Sequence, residues 1–255
     1  MSAIPSVTGA RQPNPLLVFA KSSIGRKWIV GGSGALLVLF LLAHLAGNLT
    51  IYIGPHGEGI NVYAQTLHTS ALFLWGARLG LLLVFVVHIG TALLLAVENR
   101  RARPVRAAKN AHIQSTVFAR TMVLSGLVVL CFVILHVSQF ALGFNGYAHL
   151  LDAEGRHDVA AMIIKSFQNP FLSGIYFLAL LLLGMHLSHG IQSVFQTFGL
   201  NGRKTAENLK RGALVVSWVL MALFATIPVA ALTGYLKVLP DGRRAAAVTH
   251  VSMLR

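Results

Sequence analysis

Five long apolar stretches dominate this chain and restrict the architectures open to it. They lie at about 29–53, 71–97, 119–143, 170–197 and 213–236. A helix needs roughly 20 mainly apolar residues to cross the hydrocarbon core of a bilayer, and each stretch reaches that length. The connections between the stretches are short, so neighbouring helices should run antiparallel in one bundle. The sequence therefore predicts an all-α integral membrane protein, a bundle of five transmembrane helices.

The segments outside these stretches are too short for a second folded domain. We divide the chain into an N-terminal segment (1–28), a transmembrane domain (29–236) and a tail (237–255). Of its 255 residues, 55% are hydrophobic and 11% are charged, whereas a soluble domain carries about 25% charged residues. A single cysteine excludes an iron–sulfur cluster held by this chain alone.

The net charge of +14 follows the pattern of a membrane topology signal. Lysine and arginine cluster before the first stretch and in the second and fourth connections, whereas the first connection has neither. Short basic loops stay on the cytoplasmic side, so we expect a cytoplasmic N-terminus and a C-terminus outside. Basic residues within 237–255 oppose this assignment, but five spans require it. The charge pattern predicts contact with membrane lipid and no nucleic-acid partner.

Four histidines lie inside four of the apolar stretches, where a polar side chain is costly. An ionisable residue within a membrane span is by default a functional-site hypothesis. Imidazole is a common iron ligand, and helix bundles build cofactor sites from side chains on facing helices. Four such side chains on four helices suit two bis-histidine haems stacked across the bilayer. The histidines are His44, His88, His136 and His186.

The depths of these histidines suggest how they pair. At 1.5 Å per helical residue, His44 and His136 lie roughly 25 and 24 Å from the cytoplasmic boundary, and His88 roughly 18 Å from it. On the fourth helix, either His186 or His189 matches the depth of His88. The residues alone thus pair His44 with His136 toward the outer face, and His88 with one of the other two toward the inner face.

Over roughly residues 20–236, the chain resembles the cytochrome b membrane-anchor subunit of succinate dehydrogenase and fumarate reductase, five-helix di-haem type. The first helices carry the more specific part of this resemblance. The motifs are SIGRK at 23–27, HLAGNL at 44–49, NVYA at 61–64, WGAR at 75–78, HIG at 88–90, LHV at 135–137 and HLSHG at 186–190.

The resemblance implies two haems b with the ligand pairs His44/His136 and His88/His186, because the family pattern His–x–Ser–x–Gly selects His186 over His189. It also implies quinone, of the menaquinone type, and flavoprotein and iron–sulfur subunits docked on the cytoplasmic side of a bacterial inner membrane. Some fumarate reductases of this type carry a glutamate where this chain has Gly184, so a matching proton route is not implied.

Quinone reduction needs protons, so we expect the quinone site near an interface with polar neighbours. The candidates are Tyr63, Trp75 and Arg78 on the outer side and Ser22, Ser23 and Arg26 on the inner side. The two outer aromatic side chains equally fit the aromatic belt of a membrane protein. Arg78 equally fits a haem propionate partner or a side chain extended to the lipid headgroups.

Two other functions fit the histidine pattern. One is a di-haem anchor for a nitrate reductase or a formate dehydrogenase. The other is a non-redox scaffold or transporter whose histidines bridge helices, although no carboxylate lies deep within a predicted span, which disfavours an ion-coupled transporter. The pattern is compatible with succinate oxidation or fumarate reduction, and with a higher oligomer.

Overall fold

The computed structural model describes residues 14–102, 121–202 and 204–238. Parts of four predicted segments lie outside the described residues: much of 1–28, most of the basic second connection, the first two residues of the predicted span 119–143, and nearly all of the tail 237–255.

Helices account for most of the described chain, and those residues form no β-strand. The elements are α1 (Pro15–Lys21), α2 (Ser23–Leu49), α3 (Glu58–His68), α4 (Ala71–Arg101), α5 (Met122–His136), α6 (Val159–Phe167), α7 (Pro170–Thr197) and α8 (Ala206–Leu232). Five of them, α2, α4, α5 with its extension to Ala141, α7 and α8, are long and apolar enough to cross a membrane. The predicted fold class, an all-α membrane bundle with five spanning helices, is confirmed.

Two spanning helices begin earlier than the apolar pattern predicts. Helix α2 starts at Ser23 rather than 29 because the Ser22 hydroxyl accepts a hydrogen bond of 3.0 Å from the Gly25 amide and caps the first turn. Helix α8 starts at Ala206 rather than 213, and its polar first turns carry an ion pair between Arg211 and Glu207. A prediction based on runs of apolar residues does not include the polar turns at the end of a helix.

The spanning helices alternate in direction, which gives the bundle two chemically different ends. At the basic end, α2, α5 and α8 begin and α4 and α7 finish, and Arg26, Lys27, Arg100, Arg101, Lys204, Lys210 and Arg211 lie near it. At the opposite end, which we call the cap end, the short helices α3 and α6 cover the bundle. The two short helices lie in the first and third connections between the predicted spans.

A buried polar cluster fastens α3 to α6 at the cap end. The Asn61 amide nitrogen donates to Asp158 at 3.1 Å and to Asp152 at 3.3 Å, and its oxygen accepts from the Ala160 amide at 2.9 Å. Arg156 donates to Asp152 at 2.7 Å. Asn61 is 4% exposed, so these bonds satisfy a side chain that would be costly to bury alone.

Helix α7 is the central element of the bundle. It packs against α8, α5 and α2, while α4 packs mainly against α2. Its buried side chains contribute to two apolar clusters, one at the cap end around Ile164 and Tyr176 and one in the middle around Leu183 and Met221. The helices that carry the four histidines, α2, α4, α5 and α7, therefore lie next to one another, and a group could be held between them.

Candidate cofactor-binding site

His44 on α2 and His136 on α5 face each other toward the cap end. Their ring centroids lie 5.8 Å apart and the ring planes are nearly perpendicular, at 87°. Phe40 stacks on His44 at 5.3 Å, and Phe132 lies 5.8 Å from His136. The pair therefore sits in a largely apolar and aromatic setting.

Two hydrogen-bond contacts connect His136 to Gln139 through the hydroxyl of Tyr176. Its Nδ1 lies 3.2 Å from the hydroxyl oxygen of Tyr176 on α7, and that hydroxyl donates to Gln139 Oε1 at 2.8 Å. Gln139 belongs to a π-helical turn, Val137–Ala141, that follows α5 directly. Such turns are rare in proteins as a whole, and those that occur are often found at functional sites.

His88 on α4 and His186 on α7 lie toward the basic end of the bundle. Each meets a serine from a neighbouring spanning helix. Ser33 Oγ on α2 lies 3.1 Å from His88 Nδ1, and Ser125 Oγ on α5 lies 3.2 Å from His186 Nδ1. The two histidines thus have matching hydroxyl neighbours.

A glycine follows each of these serines, and both glycines border the imidazole rings. A Cβ added at Gly34 would lie 3.1 Å from His88 Cε1, and one at Gly126 would lie 3.3 Å from His186 Cε1. These distances are shorter than ordinary van der Waals contact, so the rings sit where only a glycine leaves room.

His189, one turn beyond His186 on α7, has a different environment. Its Nε2 lies 3.1 Å from Ser193 Oγ, one further turn along the same helix. No contact between His189 and the other spanning helices matches the one that Ser125 and Gly126 make with His186.

The donor set fits a group that is ligated on two opposite faces. A metal–imidazole bond is about 2.0–2.1 Å for zinc, so an ion between two rings holds their centroids roughly 6 Å apart. The measured separation of His44 and His136 is 5.8 Å. Within the described ranges no group of three or more His, Cys, Asp or Glu side chains could hold a metal ion. The described residues offer paired imidazoles, a donor set that fits a bis-histidine haem.

Two of the quinone candidates at the basic end already have partners. The Ser22 hydroxyl caps α2 and donates to the Phe19 carbonyl at 2.7 Å. Arg26 forms an ion pair with Glu98 at the end of α4. Ser23 is exposed at the first position of α2. The partner of Arg26 could not be read from the sequence, since the two residues are 72 positions apart.

The candidates at the cap end lie on α3 and α4. Tyr63 packs against α2 one turn after His44, because a Cβ at Gly47 would lie 2.5 Å from its ring. The Arg78 guanidinium lies 5.3 Å from the Trp75 ring centroid, a cation–π contact on the exposed face of α4. Tyr63 is therefore near the His44 pair, while the other two form a separate surface pair.

Gly184 serves the packing of α7 against α8. A Cβ there would lie 3.0 Å from Met221 Cγ and 3.3 Å from the Trp218 ring. The position that carries a glutamate in some fumarate reductases therefore faces the fifth spanning helix in this chain.

Three residues near the histidines are not among the candidates named from the sequence. Ser125 and Tyr176 contact a histidine, and Gln139 contacts Tyr176. The available signal is a Ser–Gly pair inside an apolar helix, as at 33–34 and 125–126. It is not specific, because Ser173–Gly174 has the same form and Ser173 instead donates to the Phe167 carbonyl at 2.7 Å.

Comparison with known families identifies the class of protein. Residues 96–227, slightly more than half of the chain, match the model of the succinate dehydrogenase/fumarate reductase transmembrane subunit. The chain belongs to this family, and the resemblance found in its motifs is confirmed. It is a multi-pass membrane protein, the membrane subunit of an oxidoreductase complex. No curated protein and no solved structure matches the chain.

The family match favours a membrane subunit of succinate dehydrogenase or fumarate reductase over an anchor of a nitrate reductase or formate dehydrogenase, and over a non-redox scaffold. It includes His136 and His186, whereas His44 and His88 lie before its first residue. The match therefore covers two of the four histidines, and any ligand role for the set rests on their geometry.

Proposed function

We propose that this chain binds two haems b and carries electrons between an iron–sulfur subunit and the quinone pool. The proposal is supported by four imidazoles on four spanning helices: His44 and His136 face each other toward the cap end. Toward the basic end, His88 and His186 each lie against a serine and a glycine of a neighbouring helix. His44 and His136 would hold one iron, and His88 and His186 the other. When bound, the haems supply one-electron redox centres whose potentials depend on axial ligands, burial and nearby hydrogen bonds.

The chain's own contribution is to orient these ligands and to exclude water from them. Glycines at 34 and 126 leave room for two of the rings, and aromatic side chains surround the third, His136. Each of the four histidines is only partly buried among the protein's own side chains, which leaves ring surface for a further group.

The charge distribution supports a cytoplasmic basic end. Spanning proteins retain Lys and Arg on the cytoplasmic side, and at the cap end the charges of the Asn61 cluster include Glu58, Asp152, Glu154 and Asp158. We therefore propose a bacterial inner-membrane protein with a cytoplasmic N-terminus. The flavoprotein and iron–sulfur subunits would dock at the basic end.

For quinone, of the menaquinone type, we propose the cap end. Ser22 and Arg26 at the basic end are engaged in a helix cap and an ion pair. Tyr63 approaches the helix of His44 within one turn, and a phenol hydroxyl can donate a hydrogen bond to a quinone carbonyl.

A pyridine-haemochrome assay of the purified complex tests the haem assignment. We expect two haems b per chain, with His44→Ala and His136→Ala losing one spectral component and His88→Ala and His186→Ala losing the other. His189→Ala is the matched control, one turn away on the same helix, and should retain both. Absence of haem from the unsubstituted protein would refute the proposal.

A further inference from the structure

Three of the four paired histidines contact a hydroxyl group through Nδ1. The oxygen is Ser33 Oγ for His88, Ser125 Oγ for His186 and Tyr176 Oη for His136, at 3.1, 3.2 and 3.2 Å. Each hydroxyl comes from a different helix than the histidine it contacts. The contacts therefore orient the rings from across the bundle.

The direction of these hydrogen bonds follows from the other partner of each hydroxyl. Ser33 Oγ donates to the Ile29 carbonyl at 2.6 Å, and Ser125 Oγ donates to the Met122 carbonyl at 3.1 Å. A hydroxyl has one proton to donate, so an oxygen that has donated it can only accept from the ring.

The same reasoning holds for the third contact. The Tyr176 hydroxyl donates to Gln139 Oε1 at 2.8 Å, and that oxygen can only accept. The bond between His136 and Tyr176 would then run from the imidazole N–H to the phenol oxygen. This arrangement of donors and acceptors favours a proton on Nδ1 in all three rings, which would leave the Nε2 lone pair free.

We propose that Ser33, Ser125 and Tyr176 are positioning residues that hold three haem ligands in the Nδ1–H tautomer, with Nε2 directed to iron. This inference rests on the proposed haem binding and deepens it. Ligating histidines commonly donate their second N–H to an acceptor, which fixes ring orientation and raises the basicity of the ligand. Here the acceptors are hydroxyls whose own protons are held by carbonyl oxygens.

The fourth histidine differs, which makes the proposal selective. Within the described chain the His44 ring has no hydrogen-bond partner, and it packs against Phe40 and Phe224 at 5.3 and 6.0 Å. The basic-end haem would therefore have two hydroxyl-supported ligands, and the cap-end haem would have one.

The test uses the whole complex with five variants: Ser33→Ala, Ser33→Thr, Ser125→Ala, Tyr176→Phe and Ser217→Ala. The last is a matched control, a fully buried serine that donates to the Ala213 carbonyl at 2.7 Å on a helix without histidine. Two quantities are measured for each haem: its midpoint potential, and its rate of loss to an excess of a haem-scavenging apoprotein.

We expect Ser33→Ala and Ser125→Ala each to raise the midpoint potential of the basic-end haem, because a less basic imidazole stabilises the ferric state less. The same haem should bind about 10- to 100-fold more weakly, and be lost correspondingly faster. Tyr176→Phe should act on the other haem alone, and Ser217→Ala on neither. Ser33→Thr, which keeps the hydroxyl, should restore both quantities.

Unchanged potentials and loss rates in both serine variants, with two haems retained, would overturn this inference and leave the haem assignment standing. A failure of Ser33→Thr to restore the values would also overturn it, since packing would then be the cause. If Ser33→Ala does not assemble, Ser125→Ala and Tyr176→Phe decide by the same criteria. An unsubstituted protein without haem would overturn this inference together with the proposed function.

Discussion

Replacement of Asn61 by alanine should loosen the cap end of the bundle. The substitution removes two hydrogen bonds to aspartates, at 3.1 and 3.3 Å, and the acceptor of the Ala160 amide, at 2.9 Å. A buried amide left without an acceptor costs about 1–3 kcal/mol. Asp152 retains its bonds to Arg156, and Asp158 retains its bond to the first turn of α6, so loss of the Asn61 bonds adds a smaller cost.

Together these terms give a destabilisation of the contact between α3 and α6 of about 2–4 kcal/mol. The lower value corresponds to an opening equilibrium shifted roughly 30-fold. Backbone amides exchange with solvent through such local opening. Hydrogen–deuterium exchange of the peptide containing Ala160, in lipid nanodiscs, should therefore accelerate at least that much.

Gln65→Ala provides the control, because Gln65 lies on the same helix and is exposed. It should leave the exchange of α6 unchanged. An Asn61→Ala protein whose α6 amides exchange within about threefold of the unsubstituted rate would refute the reasoning. Water would then replace the lost amide at little cost.

Three further predictions concern helix contacts. Gly184→Ala should lower the free energy of unfolding, measured by thermal denaturation, by about 1–2 kcal/mol, because overpacking against α8 outweighs the helix propensity gained. Gly174→Ala, which has open space around its Cβ, should be neutral or stabilising in the same measurement. Gly126→Ala should shift the optical spectrum of one haem by displacing the adjacent ring, and a spectrum identical to that of Gly174→Ala would contradict the close contact. The ion pair of Arg26 with Glu98, whose side chains are 21% and 44% exposed, should give a coupling energy of about 0–1 kcal/mol that falls with added salt. A double-mutant cycle with Arg26→Gln and Glu98→Gln measures it, and a salt-independent value would argue against an electrostatic origin.

The spanning helices could be predicted from the sequence because bilayer thickness imposes a length and an apolar composition that few other structures require. The proximity of His44 and His136 could also be inferred from their similar depths, since helical rise is constant. His44 and His136, which lie 5.8 Å apart, come from positions 92 residues distant in the chain.

The helix rotations that select each histidine's neighbours could not be predicted. A helix such as α4 is apolar all round, so its sequence does not say which face meets another helix. Ser33 and Ser125 reach a histidine while Ser173 does not, and only the assembled bundle distinguishes them. Helices α3 and α6 were missed because they are short and their stability comes from tertiary contacts such as those of Asn61.

The aromatic cluster around His136 has a consequence for the haem that we propose at the cap end. Phe132 and Phe140 lie 5.8 and 5.5 Å from the histidine ring, and Phe167 packs edge-on against Tyr176 at 4.8 Å. Side chains packed on several sides have little freedom to reorient when a charge arrives. A redox centre held here would therefore change charge with a small reorganisation energy, and its electron-transfer rate would depend mainly on distance and driving force.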